Sequence, residues 1–136
     1  MSARVTSNVL EELAKQAAAA HPHECCGMLL GGAGTSADHV AAITAARKIH
    51  AAPATCFEID PQALVDAHRA ERSGGPKLLG YYHSHPTSDA APSATDAEMA
   101  SGDGRIWAII GQSRDITFWR DGETGFTPLS YRVIKA

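Results

Sequence analysis

The stretch Leu78-Leu79-Gly80-Tyr81-Tyr82-His83-Ser84-His85-Pro86 decides how this chain is read. Leu78 to His83 is a short continuous apolar run, the pattern of a buried strand, and it ends in the loop Pro86 to Pro92. Residues i and i+2 of a strand point the same way, so His83 and His85 can turn both imidazoles toward one point. A buried strand thus delivers two nitrogen ligands to its own end.

Downstream, Ser93 stands eight residues beyond His85, and Asp96 three further. Two imidazoles and a carboxylate form a catalytic zinc set, with three protein ligands and a fourth tetrahedral position left to water. A structural site commonly closes that position with thiolates, and no cysteine is near in sequence. His-x-His alone is a weak signal in a chain with seven histidines. Ser and Asp at two fixed offsets make it much more specific.

Ser93-Ala94-Thr95-Asp96 also has the shape of a capping box, with Asp in place of the usual Glu or Gln. The two readings are compatible. A capping serine accepts a bond from a backbone N–H, which leaves its own O–H to donate elsewhere. Asp96, in the first helical turn, sits near the positive end of the helix dipole, which favours the ionised form that a metal requires.

Other elements follow on both sides. Thr6 or Ser7 caps a first helix in which Val9, Leu10, Leu13 and Ala17 recur at helical spacing, and His21-Pro22 ends it. Cys25 to Leu30, closed by Gly31-Gly32, reads as a second buried strand. Val40 to Ile49 is a weaker strand. Pro61 opens a helix carrying Leu64, Val65 and His68, which Ser73-Gly74-Gly75-Pro76 stops. Ser93 to Met99 is a brief helix. Arg105 to Ile110, Ile116 to Trp119, and Phe126 to Ile134 are strands, the first two joined by the turn Gly111 to Asp115. The order is that of an α/β sandwich on a mixed sheet.

Bulk properties exclude classes of function. The 136 residues are expected to form one domain, 1–136, with an ordinary globular composition of 44% hydrophobic and 20% charged residues. A net charge of −3 gives no reason to expect nucleic acid or an anionic membrane as partner. No apolar run approaches the roughly 20 residues that span a bilayer, and the first residues lack a signal-peptide core. Three cysteines, two adjacent, make no disulfide framework, so a cytoplasmic location is expected.

Glu24 with Cys26-Gly27-Met28-Leu29-Leu30-Gly31, then Gly80 to Pro86, then Pro92 to Asp96, resembles the JAMM (MPN-plus) zinc metallopeptidases, above all their small bacterial members. Their pattern is a distant Glu, then His-x-His, seven residues, Ser, two residues, Asp, and every position is filled. The resemblance implies a mixed, curved β-sheet flanked by helices, a sandwich of the cytidine-deaminase-like type. It implies one Zn2+ per chain on His83, His85 and Asp96. It also implies hydrolysis of the peptide or isopeptide bond after the C-terminal tail of a ubiquitin-like protein. Zinc would polarise the scissile carbonyl and lower the pKa of its water to about 7. Glu24 would be general base and then proton donor to the amine, and Ser93 would donate to the oxyanion. Glu24 has this role only through the resemblance; its residue chemistry alone reads as an acid beside a strand.

The resemblance leaves two rivals. One is a peptidase of sulfur metabolism that releases cysteine or another small amine from a sulfur-carrier protein. The other is a non-catalytic scaffold, against which the intact ligand set argues. The loops Gly31 to Asp38 and Pro86 to Pro92 are short, so recognition is expected to centre on the modifier and its tail, added as a strand at a sheet edge. The oligomeric state is open.

Several residues are expected to be bystanders. His21-Pro22-His23 is a second His-x-His, but its proline makes it a turn. Of the adjacent Cys25 and Cys26, one side chain is expected to pack inward as a small hydrophobe and the other to face away. Asp89 belongs to a solvated loop tip, and His39, His50 and His68 have no identifiable partner. Trp107, Trp119 and Phe118 fit the core of a sheet.

Overall fold

A computed structural model describes residues 2–32, 39–45 and 61–135. In chain order the elements are β1 (Ser2–Thr6), α1 (Ser7–Ala20), β2 (Cys26–Gly31), β3 (His39–Val40), β4 (Ala42–Ala45), α2 (Pro61–Arg72), β5 (Lys77–Ser84), α3 (Ala94–Met99), β6 (Ile106–Ile110), β7 (Ile116–Gly122) and β8 (Gly125–Ile134). Among the described residues the strands form one mixed sheet in the order β3-β1-β8-β7-β6-β5-β2-β4. The β5–β6, β1–β8 and β1–β3 pairs are parallel and the others antiparallel. This is the α/β class expected, a curved mixed sheet flanked by helices.

Strand alternation builds the layers. Leu29, Tyr82, Ile106, Ala108 and Phe118 join Val9 and Leu13 of α1 in one buried core. Burying a large aliphatic or aromatic side chain contributes about 1.5–3 kcal/mol, so this face carries most of the stability. Met28 and Leu30, one residue out of phase, face Ala67 and Ala70 of α2 on the other side. Register pairs Met28 with Tyr81 and Cys26 with His83, so His83 lies on the α2 side while Tyr82 points under α1. Gly80 lets β5 and β6 meet: a Cβ there would lie 1.7 Å from the carbonyl oxygen of Ile106.

Several expectations need correction. Ser2–Thr6, to which no element is assigned from sequence, is a strand that pairs in parallel with Ser130–Ile134 of β8. Thr6 is the N-cap residue of α1, but its side chain makes no capping bond. The single strand expected over Val40 to Ile49 is instead the two short strands β3 and β4, and residues 46–49 lie outside the described residues. So do His50 and most of the loop Gly31 to Asp38. Phe118 is core as expected, whereas Trp107 and Trp119 pair with each other and are half-buried. Cys25 and Cys26 are both buried, but Cys26 is joined in a disulfide, a pairing for which the adjacency of the two gave no signal. No helix of the described residues is long and apolar enough to cross a membrane.

Candidate metal centre

β5 and α3 bring the three candidate ligands together. His83 is the penultimate residue of β5, and His85 follows its end, where its backbone N–H donates to the carbonyl of Ile110 at 2.7 Å. That bond carries the β5–β6 ladder one residue past the strand and holds the second imidazole beside the first. α3 supplies the carboxylate through the capping box expected from sequence. The Asp96 N–H donates to Ser93 Oγ at 3.0 Å, and the Ser93 N–H donates to Asp96 Oδ2 at 2.9 Å. The helix start therefore fixes both Asp96 and Ser93.

One ligand atom from each of His83, His85 and Asp96 lies within 4.8 Å of the others, and all three residues are buried. Nε2 of His83 is 3.1 Å from Nε2 of His85 and 3.1 Å from Asp96 Oδ1. Nε2 of His85 is 3.2 Å from Asp96 Oδ2. Nδ1 of His85 lies 2.7 Å from the carbonyl of Asp89. A carbonyl only accepts, so Nδ1 carries a proton and Nε2 is the nitrogen that faces Asp96, donating to it when protonated and offering a lone pair to a cation when not. This is the outer support that metal-binding histidines usually have. Trp107 packs edge-on against His83, with ring centroids 5.6 Å apart.

Electrostatics point the same way. Burial alone would raise the Asp96 pKa, but the imidazoles of His83 and His85 against its two oxygens outweigh it and hold the carboxyl far below the usual range. The His85 pKa is raised, chiefly by its hydrogen bond to Asp96, with burial opposing and Glu24 adding a smaller push. The carboxylate is thus anionic, and a cation would compete with a proton for the Nε2 lone pair of His85.

The donor set fits zinc. Two imidazoles and a carboxylate suit it, and three ligands leave a position open. Asp96 Oδ1 is wholly buried and makes no hydrogen bond, although His83 Nε2 is only 3.1 Å away. A buried carboxylate oxygen left so is costly unless something positive fills the gap.

Glu24 lies just before β2, 9% exposed, close enough to His85 to raise its pKa. It opens on a cleft of about 410 Å³ lined by Gln16, Ala19, Ala20, Cys25 and Ala45. The fold thus gathers His83, His85 and Asp96, with Ser93 joined through the capping box, and Glu24 stands near enough to act on the charge of His85. The bystanders stay apart: His21 and His23 are exposed in their turn, and the Asp89 side chain is exposed. Sequence reading missed three contributors. They are the Asp89 backbone carbonyl, the hydroxyl of Ser84, and Asp121, a buried carboxylate behind α3. None had a sequence signal beyond its position in or near a strand.

Residues 6–122 match the family model described as prokaryotic homologs of the JAB domain. The desampylase of Haloferax volcanii is 37% identical over 109 residues, which is 80% of this chain and 77% of that protein. A probable TtuB-protein conjugate cleaving protease of Thermus thermophilus is 42% identical over 52 residues, only 38% of this chain and 35% of that protein. Among solved structures, protein DSY2949 of Desulfitobacterium hafniense superposes with a TM-score of 0.82 at 24% identity, covering 98% of this chain and 93% of its own. A structure described as a JAMM metalloprotease-like zinc site in the proteasome and signalosome gives a TM-score of 0.58 at 19% identity, covering 97% of this chain and 99% of its own. The last two likenesses concern the fold.

Proposed function

This chain belongs to the family of prokaryotic JAB-domain homologs, the JAMM-type hydrolases, and we propose that it hydrolyses the bond after the C-terminal tail of a ubiquitin-like protein. The convergence of His83, His85 and Asp96 in one buried cluster with Glu24 beside it carries this reading. Those three residues would hold one zinc ion, which when bound supplies a Lewis acid for the scissile carbonyl and lowers the pKa of a water to about 7.

The remaining steps belong to the chain's own residues. Glu24 accepts a proton from the attacking water and returns it to the departing amine. Ser93 uses its lone pair for the Asp96 N–H, so its O–H is available to donate to the carbonyl oxygen as negative charge develops there. Asp96 balances the cation, and the Asp89 carbonyl holds His85 in the tautomer that ligates.

Among the described residues β4 is the outermost strand on the Glu24 side of the sheet. Ala45, its last residue, lines the same cleft as Glu24, together with Ala19 and Ala20 of α1. Such small side chains leave room for an extended, glycine-rich tail laid along β4. The relative named as a TtuB-protein conjugate cleaving protease supports protein conjugates as substrates here, ahead of a small-amine leaving group.

The test uses zinc-loaded protein and ubiquitin-like proteins ending in Gly-Gly, joined to lysine, to a linear fusion or to free cysteine. Cleavage after the glycine is expected, stopped by a chelator and restored by zinc. No cleavage of any partner would overturn the substrate class, and exclusive turnover of the cysteine adduct would favour sulfur metabolism.

A further inference from the structure

Ser84 stands between the two histidines of His83-Ser84-His85 and points to the opposite side of the strand. It is 3% exposed. Its Oγ accepts the Cys25 N–H at 2.8 Å, and its own N–H donates to the Cys25 carbonyl at 3.0 Å. The register of β2 and β5 ends one step earlier, at Cys26 opposite His83. In a regular antiparallel pair the Cys25 N–H would donate to a backbone carbonyl, and here a hydroxyl takes that place. Both polar groups of Cys25 are thus tied to one residue, and Cys25 directly follows Glu24.

We propose that Ser84 is a positioning residue that holds the Glu24 carboxylate in line with the metal ligands by bracketing Cys25. The proposal rests on the reading of Glu24 as general base. A proton-transfer group must sit within hydrogen-bond reach of its water, and a misplacement of about 1 Å can cost about 100-fold in rate. Glu24 lies outside any strand, so the sheet ladder alone does not orient it. The two bonds to Ser84 tie the next residue to the strand that carries His83, so base and ligand are placed by the same few atoms. His83 and His85 have separate supports, Trp107 and the Asp89 carbonyl, and do not depend on the Ser84 hydroxyl.

The experiment compares Ser84→Ala, Ser84→Val and Ser84→Thr in the full chain, with Glu24→Gln alongside. It reads zinc content, and kcat and KM on an aminocoumarin amide of a ubiquitin-like protein ending in Gly-Gly. Thr and Val have nearly the same shape and differ in the hydroxyl, so the pair isolates the hydrogen bond from packing. Ser84→Ala and Ser84→Val should keep one zinc and lose about 10- to 100-fold in kcat, with KM within about threefold. Ser84→Thr should recover kcat to within about threefold of the parent. If Ser84→Val does not fold, the contrast of Ala with Thr decides. The proposal falls if Ser84→Ala keeps its kcat, if Thr is as slow as Ala, or if the slow variants have lost zinc. An active Glu24→Gln would instead overturn the role of Glu24 itself, whatever Ser84 does.

Discussion

The carbonyl oxygen of Asp89 accepts a 2.7 Å hydrogen bond from Nδ1 of His85, so a backbone atom of the loop after β5 sets which nitrogen of that ring faces Asp96. The contact separates two carboxylates that look alike in sequence. Asp89 serves through its main chain and leaves its side chain in solvent, while Asp96 turns its side chain inward and is 0% exposed.

The first prediction follows from that contrast. Asp89→Ala keeps the carbonyl, so zinc content and kcat should stay within about threefold of the parent. Asp96→Ala removes a ligand and leaves two buried imidazoles facing each other, so bound zinc should fall to near zero. Metal content by mass spectrometry after exhaustive dialysis separates them. Zinc lost from the Asp89 variant, or retained by the Asp96 variant, would reverse the assignment.

The second prediction concerns pH. The His85 pKa is raised above 6.5 by Asp96, so in the metal-free protein this pairing stabilises the fold below about pH 6.5 and is lost as pH rises through the folded value. The Asp96 pKa is lowered, so its contribution is present above the ordinary carboxylate range and is lost as pH falls below about 4. Zinc must displace the His85 proton. Its apparent affinity should therefore rise by up to about tenfold per pH unit until the raised His85 pKa is passed, then level off. Competition with a chromophoric chelator from pH 6 to 8.5 measures the slope, and an affinity flat over that range would contradict it.

Much of this was legible in the sequence because it is local. His83 and His85 share a strand face, and the Ser93–Asp96 box spans four residues, so period and spacing sufficed. What the sequence hid is non-local or made by backbone. β1 is five residues long and becomes a strand by pairing with residues 130–134 at the far end of the chain. Trp107 and Trp119 read as core because they are large and sit in strands, yet only their neighbours Ala108 and Phe118 face α1. The Asp89 carbonyl has no side-chain identity to read. Asp121, three residues from Phe118 and so out of step with strand alternation, looks like any solvent-facing acid.

The third prediction tests the double duty of Ser93. Ser93→Ala removes the cap of α3, which should cost about 0.5–2 kcal/mol of stability. It also removes a donor to the oxyanion, which should lower kcat about 100- to 1,000-fold. Zinc should stay bound, since Asp96 keeps its burial and both histidine contacts. Ser93→Thr should restore stability and most of the turnover. Full turnover in the Ala variant would leave Ser93 with capping alone.

The fourth prediction concerns Asp121, which lies in β7 and is 1% exposed. Its Oδ2 accepts the Ser101 N–H at 3.0 Å and its Oδ1 accepts the Gly102 N–H at 3.1 Å. Its own carbonyl accepts the Gly104 N–H at 2.7 Å, and its N–H donates to Arg105 at 2.9 Å. All four partners lie between α3 and β6, so this one residue ties the trailing end of α3 to the sheet, while the capping box secures the leading end. Asp121→Ala would leave two N–H groups without their acceptors, at about 1–3 kcal/mol each if they stay buried. At roughly 2–8 °C per kcal/mol, the melting temperature should drop by at least about 4 °C. Because α3 carries Asp96, the same change should weaken zinc binding by about 10- to 100-fold, the range typical of groups that support a ligand from behind. Asp121→Asn keeps one accepting oxygen but turns donors toward the other N–H, so it should fall between parent and Ala in both measurements. Thermal unfolding of the metal-free protein and chelator competition on the folded protein read the two effects separately. A variant that melts earlier yet binds zinc as tightly as the parent would confine Asp121 to the fold and remove it from the support of Asp96.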